Sequence, residues 1–294
     1  MITVFLSGGL GNQLFQYASG KVLAERTGSD LLIDLSLLNI RTKNTTPRNY
    51  ELNHFILDKD IKITSSKLKG FLISKLYFNI RHTSLGKKIT KYFSIFTGSY
   101  DFDPLFSQLR NKLMLIEYFL PEKYLSNYKY AIQNSFTLKG KLCGKNNELE
   151  TIIQSVNAVS IHIRRGDYIS NQNAANHFTT CSEDYYEQAI AYMCERVKSP
   201  KFFVFSDEPE KAKELLHTKD AVYVNWNDGE KSYIDMRLMS LCRHNIIANS
   251  SFSWWGAWLN NYPEKIVIAP HKWFKNETRN DNIKNLLPQE WIKL

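Results

Sequence analysis

The second half of the chain alternates short apolar runs with longer stretches of helical periodicity. The apolar runs predict five strands, at 159–163, 201–206, 221–225, 245–249 and 265–269, the last of these being the final strand. The stretches around them predict helices at about 148–155, after Ser182, from Pro209, over 230–242 and after Ser250. This strict alternation predicts an α/β domain built on a parallel, doubly wound sheet.

The first residues show a strand, a glycine-rich loop, a helix and a second strand. The strands are predicted at 3–6 and 31–35, and the helix runs to about Arg26. Gly9 and Gly11 match the first two positions of the dinucleotide-binding fingerprint, but Leu14 occupies the third. Asp34 stands about where a ribose-binding acid would be. Close approach of a ligand and a tight strand-to-helix turn explain these glycines equally well.

Residues 36–150 show weaker patterns. The segment 61–100 mixes aromatic residues with eight Lys or Arg, contains no Asp or Glu, and is expected to be helical. A solvated basic helix face is the simplest interpretation, and contact with an anionic membrane surface is the alternative. The polar stretch 139–147 is typical of a linker, so we expect domains at 1–147 and 148–294.

Composition and charge narrow the class of protein. The chain has 294 residues, 43% of them hydrophobic, and a formal charge of +9, which fits packed cores and favours anionic partners. It contains no apolar run of ~18 residues, and its first residues do not have the pattern of a signal peptide. The four cysteines form no CxxC pair. We therefore expect a cytoplasmic protein without a zinc site, a disulfide framework or a nucleic-acid motif.

The strand at 159–163 leads into two adjacent arginines. His162 and Arg164 share one face of the extended chain, and Arg165, Gly166 and Asp167 follow at the turn. Guanidinium groups match phosphate oxygens in geometry and charge, and open α/β sheets bind ligands at such strand ends. The alternative is a structural salt bridge between an arginine and Asp167, which we expect for one of the two. The pair together favours a phosphorylated ligand.

Two further strand ends carry polar groups. Asp207 and Glu208 follow the strand at 201–206, where they can accept hydrogen bonds from a base or ribose, cap the next helix, or do both. Three serines at 250, 251 and 253 begin a helix, which is a natural anion site. The tryptophans that follow are expected in the core: Trp254, Trp255 and Trp258. Together these strand ends predict a crevice of nucleotide size.

Asp-x-Asp pairs occur twice, at Asp58 and Asp60 and at Asp101 and Asp103. Some transferases hold a metal ion with such a pair. The pairs are common by chance, and neither is near the arginine strand in sequence. No metal site is expected.

Four motifs in order resemble the α-1,2-fucosyltransferase family, glycosyltransferase family 11, in its bacterial form. They lie at 8–18, 162–168, 205–207 and 247–257, and the match is poor between about 40 and 110. The resemblance implies a GT-B-type glycosyltransferase with two Rossmann-like domains facing a central cleft. Residues 1–147 would form the acceptor side and 148–294 would bind the donor, GDP-fucose. It further implies inversion at the anomeric carbon with neither metal nor cofactor.

The resemblance also assigns expected roles to single residues. His162 and Asp207 would lie near guanine and ribose, Arg164 and Arg165 at the pyrophosphate, and Ser251 and Ser253 at the phosphates. Gly11, Asn12 and Gln13 would face the donor sugar and the acceptor from the other domain. The catalytic candidates are Arg164 for the developing charge, Asn12, and Asp34 or Asp167 as base, although Asp167 is better placed to brace the arginines.

The implied reaction moves L-fucose to the 2-hydroxyl of a galactose-containing glycan, in surface polysaccharide or O-antigen synthesis. A lipid-linked acceptor would bring segment 61–100 to the inner membrane. The acceptor itself stays open, because the divergent segment 40–110 is where acceptor specificity would lie. Three alternatives remain: another GDP-sugar transferase such as a protein O-fucosyltransferase, a dinucleotide-dependent oxidoreductase, and a non-catalytic nucleotide or lipid-surface binder.

Overall fold

The computed structural model describes residues 1–38, 40, 48–58, 61–99, 101–166, 172–216, 218, 220–281 and 283–294. They form two compact units, Met1–Lys139 and Gly140–Leu294. The division falls at the start of the polar stretch 139–147, a few residues before the boundary that we placed at 147/148. Within the described part of the chain, no helix has both the length and the apolar character needed to cross a membrane.

The first unit is built on five parallel strands in the order β3-β2-β1-β5-β4. The strands are β1 Ile2–Phe5, β2 Leu31–Asp34, β3 Lys62–Thr64, β4 Ile95–Thr97 and β5 Leu113–Ile116. The α-helices are α1 Leu10–Thr27, α2 Lys67–Phe71, α3 Phe78–Ile80, α4 Ser84–Tyr92 and α5 Lys129–Ser135, and a π-helix at Leu72–Tyr77 joins α2 to α3. Short 3-10 turns lie at Leu52–His54, Pro104–Gln108, Glu122–Tyr124 and Ser126–Tyr128.

Helix α1 packs closely on strand β1, which lies at the centre of the sheet. Its apolar positions Leu14, Ala18 and Val22 are buried, as their spacing predicts. Gly20 permits the close approach, because a Cβ atom there would come within 2.2 Å of Val4 Cγ2. Gly28 ends the helix with φ of 58° and donates its N–H to the carbonyls at the end of the helix.

The second unit is built on six parallel strands in the order β11-β10-β9-β6-β7-β8. The strands are β6 Asn157–Ile163, β7 Pro200–Ser206, β8 Val222–Val224, β9 His244–Ile246, β10 Val267–Ala269 and β11 Ile292–Lys293. The helices are α6 Lys145–Ser155, α7 Gln172–His177, α8 Glu183–Arg196, α9 Pro209–Leu215, α10 Ser232–Leu241, α11 Ser251–Trp258, α12 Glu277–Asn280 and α13 Ile283–Leu286. A 3-10 turn at Gly229–Lys231 precedes α10. The predicted parallel, doubly wound sheet is confirmed.

The core of this unit explains why the strand pattern is so apolar. Strand β6 is buried on both faces because helices cover both sides of the sheet. Ser182 accepts the N–H of Tyr185 and caps α8, as predicted. Trp254, Trp255 and Trp258 are all at most 2% exposed and pack against one another, so their predicted core role is confirmed.

Two expectations about the strands were wrong. The segment 61–100 is not only helical, since β3 and β4 lie near its two ends and pair with β2 and β5. The strand at 265–269 is not the last, because β11 pairs in parallel with β10. These missed strands are two or three residues long. Strands β9 and β10 are equally short but fully buried, whereas the three missed strands lie at sheet edges and are exposed or partly exposed, so they lack the buried apolar run that predicts a strand.

A polar cluster joins the start of α6 to α10. Asn146 Oδ1 accepts hydrogen bonds of 2.8 Å from Trp226 Nε1 and from Asn227 Nδ2. Asn227 Nδ2 also donates to Asp235 Oδ1 at 2.7 Å. Burial raises the pKa of Asp235 to about 7, and the hydrogen bond from Asn227 offsets only part of that rise. The folded chain therefore favours the protonated form of this carboxyl.

Asp235→Asn tests this directly. Because the folded pKa lies above the unfolded one, Asp235 stabilises the fold fully only below its unfolded pKa, and this stability is lost as the pH rises towards about 7. The amide of the variant does not titrate and keeps an oxygen for Asn227. Its free energy of unfolding relative to the parent should therefore rise by ~1–3 kcal/mol between about pH 5 and about pH 8. Urea unfolding at both pH values measures this, and parallel pH dependences would contradict it.

Candidate functional site

The predicted site residues of the second unit follow three neighbouring strands. Strand β6 pairs with β7 on one side and β9 on the other, all in parallel. Arg164 follows β6, Asp207 follows β7 and Ser250 follows β9. The strand order reverses between β6 and β9, and ligands of doubly wound sheets bind outside the carboxyl ends of the strands at such a point.

The carboxylate of Asp207 organises this edge. The register pairs Ile163 with Ser206, which brings the next residues, Arg164 and Asp207, side by side. Asp207 Oδ2 contacts Arg164 Nη1 at 2.8 Å and accepts the N–H of Gly166 at 3.0 Å, while Oδ1 accepts the N–H of Arg165 at 3.1 Å. One side chain thereby fixes three consecutive residues after β6. Its bonds go to this turn, and the following helix has no side-chain cap from Glu208.

Gly166 is needed at this turn because the carboxylate lies against it. A Cβ atom on Gly166 would stand 2.7 Å from Asp207 Oδ2, closer than a carbon and an oxygen can approach. Any other residue would displace the carboxylate from the backbone N–H groups that it accepts. The arginine motif therefore requires a glycine at position 166 for steric reasons.

Arg164 forms a salt bridge with Asp207, which is not the partner that the sequence predicted. The Arg165 side chain has a weaker contact with its carboxylate neighbour. Its Nε lies 3.7 Å from Glu208 Oε2 and, although buried, makes no hydrogen bond within the described residues. A buried donor without a partner is costly, and a bound anion would satisfy it. The predicted partner, Asp167, lies outside the described residues, so a salt bridge to it stays a prediction.

His162 sits beside the arginines as a neutral ring. It is 5% exposed and packs on Phe252 with 5.4 Å between the ring centroids. Burial, and secondarily the charge of Arg164, lowers the pKa of His162 to about 3. Its Nδ1 is buried and makes no hydrogen bond in the described part of the chain. The neutral ring can therefore form a hydrogen bond with a ligand through Nδ1 without a change of charge.

The three serines after β9 have different roles. Ser250 caps α11 by accepting the N–H of Phe252 at 3.3 Å. Ser253 is fully buried, and its hydroxyl lies 3.2 Å from the carbonyl of Ala248 and 3.3 Å from that of Ser250. The geometry therefore does not favour the expected contact of Ser253 with phosphate. Ser251, at the first position of the helix, is partly exposed and is better placed for an anion.

In the first unit, the glycine-rich loop after β1 is held by buried glutamines. Gln13 donates to the carbonyls of Gly8 at 2.9 Å and Asn49 at 2.8 Å, and accepts the N–H of Glu51 at 3.0 Å. Gln16, which sequence reasoning missed, accepts the N–H of Ser7 and donates to its hydroxyl, both at 3.0 Å. Because the Gln13 amide makes three bonds inside the protein, the structure favours a positioning role over donor contact.

Gly11 and Asn12 begin α1. Gly11 is buried in its first turn, while Asn12 is partly exposed beside Gly8. Gly8 has φ of 75°, a backbone conformation that glycine adopts without strain. The loop thus uses its glycines for architecture, and Asn12 is its partly exposed polar side chain. Gln16 lies on the opposite side of α1 from the stripe of Leu14, Ala18 and Val22, so its burial, which the sequence pattern does not show, is what identifies it.

Asp34 is poorly placed to act as a base. It is fully buried, pairs with Lys69 Nζ at 2.8 Å and accepts the N–H of Ser36 at 2.9 Å. A carboxylate held by an ammonium group and enclosed by protein has no route to a hydroxyl of a substrate in this conformation. Its contacts instead fasten the chain that follows β2 to α2.

No group of three or more His, Cys, Asp or Glu is arranged to hold a metal ion in the described ranges. Of the two Asp-x-Asp pairs, Asp60 lies outside those ranges. Asp103 accepts the N–H of Leu105 at 2.9 Å and caps a 3-10 turn. Asp58 accepts from Lys21 Nζ at 2.6 Å.

Comparison with known proteins matches the whole chain to one family. The sequence model of glycosyl transferase family 11 matches residues 1–294. Two Escherichia coli proteins are each 35% identical: the O-antigen biosynthesis glycosyltransferase WbnK, over 98% of this chain and 99% of its own, and an alpha-1,2-colitosyltransferase, over 100% and 99%. Human galactoside alpha-(1,2)-fucosyltransferase 1 is 23% identical over 87% of this chain and 65% of its own.

Among solved structures, a mutant of Arabidopsis thaliana FUT1 in complex with GDP is similar in fold. The TM-score is 0.52 at 12% identity, over 90% of this chain and 69% of that chain. An identity this low speaks for the fold alone. The expected GT-B-type fold, with an α/β unit built on a parallel sheet in each half, is confirmed.

Proposed function

Since the chain belongs to glycosyl transferase family 11, we propose that it moves L-fucose from GDP-L-fucose to the 2-hydroxyl of a galactose residue in a bacterial surface polysaccharide. The observation that carries this proposal is the turn after β6. There Asp207 holds Arg164 and two backbone N–H groups, next to the neutral ring of His162. The relatives in O-antigen synthesis and in transfer to galactosides support the choice of acceptor.

The roles of the residues follow from what each can offer. Arg164 and Arg165 would bind the pyrophosphate, because guanidinium forks suit its oxygens and Arg165 Nε has no other hydrogen bond among the described residues. His162 Nδ1 would bond the nucleoside, and Asp207 Oδ1 has a lone pair left for ribose. Ser251 would assist at a phosphate from the start of α11.

Catalysis in this proposal depends on fixed positive charge. When the bond between fucose and GDP breaks, negative charge develops on the departing phosphate. A cation already oriented by Asp207 would stabilise that charge without reorganising, and only a contact that strengthens in the transition state raises the rate. Arg164 is the proposed stabiliser. The acceptor hydroxyl must lose a proton, and with Asp34 enclosed, Asp167 remains the candidate base or brace.

The acceptor-side residues keep narrower roles. Asn12 remains the proposed polar contact of the first unit with donor sugar or acceptor, because it is partly exposed at the start of α1. Gly11 and Gln13 would shape the loop that presents it. The identity of the acceptor depends on segment 40–110, where the family resemblance is weakest.

A second candidate donor is GDP-colitose, because one relative at 35% identity over the whole chain is an alpha-1,2-colitosyltransferase. Colitose is fucose without its 3-hydroxyl, so the two donors share every group that the arginines and His162 would recognise. A site that hydrogen-bonds the 3-hydroxyl would discriminate strongly against colitose, and an apolar site would prefer it modestly.

A donor screen tests the proposal. The chain should release GDP from GDP-fucose in the presence of lactose-type acceptors, and the product should carry fucose on the galactose 2-hydroxyl. GDP-mannose should be a poor donor, and NADH should show neither binding nor oxidation. Faster turnover with GDP-colitose would move the donor to colitose and keep the reaction class. Transfer only to folded protein acceptors, or NADH oxidation, would contradict the proposal.

Arg164→Ala should lower kcat by roughly two to four powers of ten, about 3–5 kcal/mol of transition-state stabilisation. Arg164→Lys should restore little, since an ammonium group lacks the fork that binds two oxygens. Arg165→Ala should raise KM for the donor as much as it lowers kcat. Melting temperatures matched to the parent are the control for folding.

A folded Arg164→Ala variant that keeps more than about a tenth of the parental kcat would contradict this role, because its barrier would have changed by less than roughly 1.4 kcal/mol. The contact between Arg164 and Asp207 would then be purely structural. A larger loss in Arg165→Ala would transfer the role of charge stabiliser to the neighbouring arginine.

A further inference from the structure

Helix α4 presents an apolar and basic face that the first unit does not cover. Gly86, Ile89 and Thr90 form its inner face: Gly86 is buried, Ile89 packs on the core around Phe5, and the Thr90 hydroxyl bonds Tyr77 at 3.2 Å. A Cβ atom on Gly86 would meet the backbone of the preceding turn, so the helix lies close against it. The opposite face of α4 is therefore fixed towards the outside.

That outer face is not the polar surface that a solvated helix would have. Leu85, Lys88 and Tyr92 are three and four residues apart and share one stripe, with Leu85 60% and Tyr92 82% exposed. Tyr92 also contacts the half-exposed ring of Phe93, with centroids 4.9 Å apart. Lys87 and Lys91 form the adjacent stripe. We call these six residues the α4 face.

A second group of the same composition lies on α2 and the start of the π-helix. Leu68, Phe71 and Leu72 are exposed at helical spacing, with Lys75 one turn further on. In all, seven of the twelve exposed large hydrophobic side chains among the described residues fall within 61–99. Single exposed apolar residues need no explanation, but this concentration in one segment does.

The positive charge of segment 61–100 favours an anionic partner. Lys69 and Arg81 pair with Asp34 and Glu117, respectively. Lys67, Lys75, Lys87, Lys88 and Lys91 make no ion pair with the residues that the structure describes, and 61–100 contains no acid. Exposed aromatic and aliphatic side chains flanked by unpaired lysines suit the boundary of an anionic lipid layer, where rings enter between headgroups and ammonium groups meet phosphates.

We propose that the α4 face docks the chain on an anionic lipid surface. The contact is peripheral and combines shallow insertion of Leu85, Tyr92 and Phe93 with attraction of Lys87, Lys88 and Lys91 to the headgroups. It would hold the enzyme where lipid-linked glycans are built, but the proposal stands on this surface alone and does not depend on which sugar is transferred.

Co-sedimentation of the full chain with vesicles tests the proposal. Binding is expected to vesicles of phosphatidylglycerol with phosphatidylcholine and not to phosphatidylcholine alone, and should weaken in high salt. Lys88→Glu with Lys91→Glu should lower the partition coefficient by ~tenfold or more, since each basic residue near the surface contributes roughly fivefold. Leu85→Ser with Tyr92→Ser keeps the charge and should still weaken binding several-fold.

The matched control is Lys141→Glu with Lys198→Glu, which makes the same charge change at two exposed lysines of the second unit. It should bind like the parent. An equal loss in both double variants would mean that total charge, and not the α4 face, drives binding. Absence of binding to anionic vesicles, or equal binding to neutral ones, would overturn the proposal, as would capture by duplex DNA in preference to vesicles. Unchanged melting temperatures exclude unfolding as the cause.

Discussion

The candidate site of the second unit depends on one carboxylate. Asp207 accepts from Arg164 and from the N–H groups of Arg165 and Gly166, so that its two oxygens fix three consecutive residues. Hydrogen bonds to a charged group contribute about 1.5–3 kcal/mol each, more than neutral ones. The parallel register of β6 and β7 places the carboxylate there, since the residues after paired Ile163 and Ser206 must lie side by side. The register of the sheet therefore determines the geometry of the candidate site at this contact.

Around the contact between Arg164 and Asp207, burial determines the protonation state of the neighbouring histidine. Desolvation keeps His162 neutral beside a guanidinium group. Its Nδ1 and Arg165 Nε are buried and make no hydrogen bond in the described structure. Unsatisfied polar atoms at the switch point of a doubly wound sheet support the proposed ligand site there. Membership of glycosyl transferase family 11 gives that ligand its proposed identity, a nucleotide sugar whose departing phosphate meets fixed charge.

The periodicity of the sequence predicted most of the helices and strands, whereas the remaining strands depend on long-range pairing. The alternation after residue 148, the capping Ser182 and the buried tryptophans were predictable because local pattern and burial coincide. Strands β3, β4 and β11 were not, since they lie at sheet edges without a buried apolar run and are defined by pairing with one neighbouring strand. Asp34 was predicted as a candidate base and Gln13 as a donor contact, because a sequence shows residue types but not their contacts. In the structure, Asp34 is paired with Lys69, and Gln13 donates to a backbone carbonyl. Asp207 was predicted as a ligand or a cap, whereas its bonds go to the arginine turn.

If Asp207 prepares the turn after β6 for the nucleotide, displacing its carboxylate with Gly166→Ala should weaken the binding of GDP. The added methyl group would lie 2.7 Å from Asp207 Oδ2, whereas the same change at Gly140 meets no atom within 4 Å and serves as control. Calorimetric titration should show GDP binding weakened by ~tenfold or more, about 1.4 kcal/mol, in Gly166→Ala at an unchanged melting temperature, and parental binding in Gly140→Ala. Parental GDP affinity in a folded Gly166→Ala variant would show that the position of the Asp207 carboxylate does not govern nucleotide binding.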